Sequence, residues 1–199
     1  MRRIRTMLAC ALALFFFAAP PVQAQRVSML PPDIDQQYSP AWIAGYGERP
    51  LWTARAGKGY RTRLRMSLAG ISLTRVSIRI DERDNGAIAG RILVGRLPRG
   101  RRGLEVAERR FPVTRAQFDA LQQRIRQSRL WQTYPQYWYL SEEDNICVDG
   151  MELVMERVDA AGYRFAHANA QCGAPADMLA VASAMIDLSR EPNVGGLLR

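Results

Sequence analysis

The chain has 199 residues, 48% of them hydrophobic, and a formal net charge of +9 at pH 7. This length suits one domain with a core large enough to fold without help, and it argues against a second domain. Almost all of the positive charge is arginine, with Lys58 the only lysine. A coding bias explains that choice of residue, and affinity for an anionic envelope component is the alternative.

Residues 1–24 have the pattern of a cleavable export signal. Three arginines stand among the first five residues, an apolar run covers 7–19, and Val22 and Ala24 are the small residues before a cut. The apolar run is shorter than the about 20 residues that a membrane-crossing helix needs. We therefore expect cleavage after Ala24, a periplasmic or secreted protein, and no transmembrane segment after signal removal.

Cleavage also changes the charge and the cysteine content. The signal contains three arginines and no acid, so its removal lowers the net charge from +9 to +6. It removes Cys10, whose apolar run follows the cysteine, whereas a lipoprotein signal has that run before it. Cys147 and Cys172 then remain in an oxidising compartment, where two cysteines usually pair. The sequence predicts one disulfide.

The mature chain divides into an arm, a domain and a tail. Residues 25–49 carry three prolines without helical or strand periodicity, which predicts an extended N-terminal arm. Residues 50–190 are predicted to form a single α+β domain, and 191–199 a flexible tail. If the arm docks on a neighbouring molecule, Trp42 and Trp52 would signal a subunit interface.

The first predicted strand begins at Tyr60, where apolar and polar residues start to alternate. Leu64, Met66 and Leu68 lie on one side, and Arg61, Arg63 and Arg65 on the other. A second strand over 71–80 changes phase once, which indicates a bulge near Thr74. A turn at 84–86 follows.

Two further strands are predicted over 87–96 and, more weakly, over 104–112. The loop between them carries four arginines and should be exposed: Arg96, Arg99, Arg101 and Arg102. Thr114 and Gln117 have the spacing of a capping box, and apolar residues follow at helical spacing. A helix is predicted from about Arg115 to Ser128.

A hairpin is predicted from two runs, 146–157 and 163–172, joined by a turn at 159–162. If Val158 faces Tyr163, then Leu153 and Met155 face Ala168 and Ala166, large side chains against small ones. Cys147 and Cys172 lie on that same face, offset by two residues, so a small twist or bulge brings them into disulfide range. Pro175 then starts a last helix with a broad apolar face.

His167 is the single histidine, so any histidine-based catalytic or metal site must include it. Its predicted cross-strand neighbour is Val154, with Glu152 and Glu156 diagonal to it. No G-x-S-x-G elbow, zinc-ligand set or calcium-loop spacing accompanies it, so we predict no cofactor and no metal, and a surface histidine is the simplest interpretation. The alternative is a carboxylate-dependent envelope hydrolase that uses Glu152 or Glu156 beside His167.

The hairpin carries a spaced set of residues: Cys147, Asp149, Gly150, Glu156, Gly162, Tyr163 and Cys172. This set, followed by an apolar helix, resembles a pattern found in secreted proteobacterial proteins of unknown function. The resemblance covers roughly residues 112–190, and the chain departs from it at Leu153, where an aromatic residue is common. It implies a compact α+β envelope protein and transfers no catalytic residue.

Together these features predict an α+β fold: a mainly antiparallel sheet of about six strands, two packed helices and one disulfide. The favoured function is a noncatalytic periplasmic protein that binds or supports a cell-envelope component. Its partner would be an anionic lipid or polymer, or another protein. Export separates the protein from nucleic acid, so nucleic acid is not a predicted partner. The candidate anion-binding residues are Arg61, Arg63, Arg65, Arg96, Arg99, Arg101 and Arg102.

Overall fold

The computed structural model describes residues 47–70, 74–96, 105–128, 130–133, 150–171, 174–192 and 194–198. The export signal, almost all of the predicted arm and the phase change before Thr74 lie outside these ranges. Cys147 and Cys172 also lie outside them, so the disulfide stays a prediction.

The described chain contains a six-stranded antiparallel sheet, which confirms the predicted architecture. Its strands are β1 (Tyr60–Ala69), β2 (Thr74–Arg83), β3 (Ile88–Arg96), β4 (Glu105–Pro112), β5 (Glu152–Asp159) and β6 (Gly162–Asn169). Their order across the sheet is β4-β3-β2-β1-β5-β6. The first four strands therefore form a meander, and the β5–β6 hairpin joins it beside β1.

Two longer helices accompany the sheet, as predicted. They are α1 (Arg115–Gln127) and α3 (Ala176–Ser189), with a short helix α2 (Leu130–Thr133) between them in the chain. The predicted capping box is present at the start of α1: the Gln117 amide donates to Thr114 Oγ1 at 3.2 Å, and the Thr114 amide donates to Gln117 Oε1 at 2.9 Å. Thr114 and Gln117 thus satisfy donors that the first turn leaves unpaired.

The hydrophobic core lies between one face of the sheet and the helices. The sheet contributes Leu64, Met66, Ile78, Ile80 and Leu153, and the helices contribute Phe118, Leu121, Ile125, Val181 and Met185. These are the positions that the period-two and helical patterns assign to the interior. The alternation therefore places the core correctly.

The β5–β6 hairpin has the predicted register. Val158 lies opposite Tyr163, Met155 opposite Ala166, and Leu153 opposite Ala168. The turn is closed by Asp159, whose Oδ1 accepts from the Ala161 amide at 2.9 Å. Alternating large and small residues across the pair thus identified the pairing.

The C-terminal residues pack more closely than the expected flexible tail. Residues Gly195–Leu198 form a 3-10 helix, and Val194 is buried in the core with 1% exposure. Arg109 on β4 donates to the Ser189 carbonyl at 2.5 Å and to Glu191 at 3.3 Å. Val194 and these bonds attach the tail to the sheet.

No helix within the described ranges is both long and apolar enough to span a membrane.

Candidate functional site

The face of the sheet opposite the helices carries arginines in cross-strand register. Arg65 on β1 lies opposite Arg79 on β2, and Arg79 lies opposite Arg91 on β3. We call these three residues the arginine row. Like charges directly opposite one another on neighbouring strands repel, so the row requires counter-ions.

Glu48 supplies one counter-ion to the whole row. Its Oε2 pairs with Arg79 Nη1 and lies 3.8 Å from Arg65 Nη1, while its Oε1 lies 3.6 Å from Arg91 Nη1. The Glu48 side chain is 1% exposed. A single buried carboxylate, brought from outside the sheet, therefore bridges three adjacent strands.

Arg65 has a second, fully buried carboxylate partner on β5. Its Nε donates to Glu156 Oε2 at 2.6 Å, and both side chains have 0% exposure. The other oxygen of Glu156 accepts from the Tyr163 hydroxyl at 3.0 Å. Burial, reinforced by the Glu156 charge, holds the pKa of the Tyr163 phenol well above its usual range, so the phenol stays a donor.

Residues 47–59, which we call the covering segment, dock on this face through carbonyls as well as through Glu48. Arg65 Nη1 donates to the Arg49 carbonyl at 2.8 Å, and Arg63 Nη1 donates to the Ala56 carbonyl at 2.9 Å. Arg63 is fixed in turn by Asp81, 3.0 Å from its Nε. A segment of the same chain therefore covers the part of the charged face that β1 and β2 form.

The covering segment also buries apolar side chains. Leu51 is 1% exposed and Trp52 4% exposed. The hypothesis that Trp52 signals a subunit interface is therefore wrong for that residue, because its side chain is already buried within its own chain. Trp42 lies outside the described residues.

The structure separates the arginines that the sequence grouped on one exposed strand face. Arg61 is exposed, Arg63 is half-buried, and Arg65 is fully buried. The expectation that Arg65 projects toward an anionic partner is wrong, because Glu48, Glu156 and the Arg49 carbonyl surround its guanidinium.

The second predicted group of arginines lies elsewhere. Arg96 is exposed, and it pairs with Thr74 at one end of the sheet, whereas Tyr60, next to Arg61, pairs with Arg83 at the other end. Strands of this length span about 25–30 Å, so Arg61 and Arg96 do not form one patch. Arg99, Arg101 and Arg102 lie outside the described residues.

The alternative polar site is also divided. Val154 lies opposite His167 and Glu156 lies opposite Phe165, as the predicted register requires, but the Glu156 carboxylate pairs with Arg65. Glu152 is exposed, and His167 is half-buried rather than on the surface. Burial lowers the pKa of the His167 imidazole, and the Glu152 charge acts in the opposite direction.

Exposed cations do converge at the end of the sheet where β1 begins. We call the following set the basic end: Arg55, Lys58, Arg61 and Arg83, all exposed. The Lys58 amide donates to the Arg55 carbonyl at 3.2 Å, and the Asp84 amide donates to the Gly59 carbonyl at 3.3 Å, which joins this loop to the β2–β3 turn. Among described residues, none of these four cations forms an ion pair.

The sequence does not reveal the basic end, because its residues come from a loop, from the start of β1 and from the last position of β2. Of the four cations, Arg83 lies near an aromatic ring: its guanidinium carbon is 6.0 Å from the Tyr60 ring. No periodic pattern in the sequence links Arg55 to Arg83. The pairing of Tyr60 with Arg83 brings them together.

A separate groove of about 520 Å³ lies between α1 and α3, lined in part by Gln123, Arg124 and Asp177. It is on the helix side of the sheet, whereas Glu156 is on the other face.

Within the described ranges, no three His, Cys, Asp or Glu residues lie together as a metal site requires.

No protein-family model matches the chain, and no curated protein matches its sequence.

Proposed function

We propose that this is an exported, noncatalytic protein that binds an anionic component of the cell envelope, a lipid head group or an acidic polymer, through the basic end. The observation that supports this function is the convergence of Arg55, Lys58, Arg61 and Arg83, exposed and without ion pairs to described residues. The export pattern of residues 1–24 would deliver them to such a surface.

The physical basis of the binding is electrostatic attraction. A lysine or arginine close to an anionic membrane surface contributes about 1 kcal/mol, and the attraction falls off within one Debye length. Asp84 is an exposed acid beside the four cations. Four positive charges against this one negative charge leave the basic end with an excess of positive charge. Binding should therefore weaken steeply as salt is added.

The carboxylates of the sheet favour a binding role over hydrolysis. A general acid or base must reach the substrate, directly or through one water. Glu156, one of the two carboxylates of the hydrolase alternative, has 0% exposure and pairs with Arg65. Its oxygens hold the fold together at a position that a substrate does not reach.

Vesicle sedimentation tests the proposal with the full mature protein. We expect binding to vesicles that contain an anionic phospholipid, no binding to neutral vesicles, and loss of binding at high salt. Arg61→Gln with Arg83→Gln should weaken binding about tenfold or more, because each cation contributes about 1 kcal/mol. An acidic polysaccharide in a parallel assay distinguishes a polymer from a lipid as the partner.

A matched control neutralises two exposed arginines on α1, Arg124→Gln with Arg126→Gln, and changes the net charge equally. The control should bind nearly as well as the unmodified protein. An equal loss in both double variants would show that only net charge matters, and failure to bind either probe would reject the proposed function.

Export and the Cys147–Cys172 disulfide belong to the same proposal. Mass spectrometry of periplasmic protein, alkylated with and without prior reduction, tests both. We expect an N-terminus at Gln25 and two thiols that react only after reduction. A retained N-terminus or thiols that react without reduction would contradict the compartment on which the proposed function depends.

A further inference from the structure

The arginine row and Glu48 together have the geometry of a site that already holds its ligand. Three guanidinium groups, from three adjacent strands, converge on one carboxylate that is not part of the sheet. Each arginine has another carboxylate partner within the sheet: Glu156 for Arg65, Asp81 for Arg79 and Glu108 for Arg91. These partners hold the guanidinium groups in place independently of Glu48.

The row also has hydrogen-bonding capacity that Glu48 does not use. Arg91 Nε and Ser77 Oγ are buried and have no hydrogen-bond partner in the part of the chain that the structure describes. Ser77 lies on the same face of β2, two residues before Arg79, and is 1% exposed. Hydrogen bonds from arginine to a carboxylate are among the stronger ones in proteins, so spare donors here favour an oxyanion.

A small ion has a route to this site. The Arg91 side chain is 25% exposed, whereas those of Arg65 and Glu48 are 0% and 1% exposed. The row is therefore open at its β3 side and closed at its β1 side. Once the Glu48 carboxyl group is removed, a small ligand would approach the row from the Arg91 side.

We propose that the arginine row is a carboxylate-binding site in which Glu48 is the resident ligand, and that a small free carboxylate such as acetate binds there when the Glu48 carboxylate is removed. The site is separate from the basic end, since it lies under the covering segment and the basic end is exposed.

Chemical rescue of Glu48→Ala tests the proposal. Thermal unfolding of the mature protein at neutral pH is compared in sodium acetate and in sodium chloride of equal ionic strength. Acetate should raise the Tm of Glu48→Ala by about 2–4 °C over chloride, because a ligand that binds only the folded state stabilises it. The unmodified protein should show no such gain, because Glu48 occupies the site.

Two variants and one further salt make the test specific. Glu48→Gln fills the same space without a charge, so acetate should not stabilise it. Adding Arg79→Met to Glu48→Ala should remove the acetate gain, because Arg79 makes the closest contact with Glu48. A gain of equal size in sulfate would contradict the assignment to carboxylates.

The proposal would be overturned if acetate did not raise the Tm of Glu48→Ala, or if it raised the Tm of Glu48→Ala and of the unmodified protein equally. If Glu48→Ala does not fold in chloride, recovery of a cooperative transition in acetate replaces the shift in Tm. Failure to recover in acetate, with Glu48→Gln folded in chloride, would also overturn it. None of these readouts depends on vesicle binding.

Discussion

On the central strands β1 and β5, both faces of the sheet are largely buried, but by different means. The helix-side face carries Leu64 and Ile78, each 0% exposed, packed against α1 and α3. The opposite face, supplied by the same strands, carries Arg65 and Glu156, also 0% exposed. A polar stripe on a strand can thus lie in the interior when each of its charges has a partner.

The two faces also stabilise the fold differently. Apolar burial contributes in proportion to area, about 25 cal/mol per Å². For a buried ion pair, the cost of removing two charges from water roughly offsets their attraction, so the pair adds little net stability, yet loss of one partner is severe. We infer that the charged face mainly specifies where the covering segment docks.

The largest effect should come from removing one charge of the buried pair. Glu156→Gln keeps the side-chain volume but leaves Arg65 buried without its closest counter-charge. We expect a loss of about 3–5 kcal/mol in unfolding free energy, measured by urea denaturation. A loss below about 1 kcal/mol would mean that Glu48, which also lies near Arg65, or water is a sufficient counter-charge, and the two faces would then not differ as described.

Replacing the whole cluster should restore most of that stability. The triple variant Arg65→Met, Glu156→Leu, Tyr163→Phe removes both charges and the phenol donor while keeping apolar volume. Apolar replacements of buried ion pairs are often neutral or stabilising. If the triple variant is as unstable as Glu156→Gln alone, the pair contributes stability that apolar packing cannot replace.

A conservative change on the helix-side face should have a smaller effect. Ile78→Val removes one methylene from the core beside α3 and disturbs no charge. We expect a loss of about 0.5–1.5 kcal/mol in the same urea assay, the usual cost of that deletion. A loss as large as that of Glu156→Gln would show that both faces depend on tight packing to the same degree.

Much of the fold was predictable from the sequence because its signals are local. Period-two alternation identified β1, the Thr114–Gln117 pair identified the start of α1, and Val158 opposite Tyr163 fixed the β5–β6 register. Each depends on residues a few positions apart. The order of the strands across the sheet has no such local signal.

The burial of the charged face could not be predicted from local patterns. Arg63 and Arg65 alternate with apolar residues, which is the pattern of a strand side that faces solvent. That prediction is wrong because of residues far away in the sequence: Glu48 precedes the strand, and Glu156 follows Arg65 by 91 positions. In the basic end, the pairing of Tyr60 with Arg83 likewise places Arg83 beside the loop that carries Arg55. Composition and periodicity do not identify which residues pair when they are far apart in the sequence.

The smallest of these effects concerns His167, at the edge of the charged face on β6. Burial lowers the pKa of its imidazole below the ordinary value of 6.5. As the pH falls below 6.5, the unfolded chain takes up this proton before the folded chain does, so stability decreases, whereas above that pH both states are neutral. His167→Gln should therefore flatten the fall in unfolding free energy just below pH 6.5, measured by urea denaturation at a series of pH values. If the unfolding free energy falls equally steeply with pH in both proteins, protonation of His167 does not contribute to the acid sensitivity of the fold.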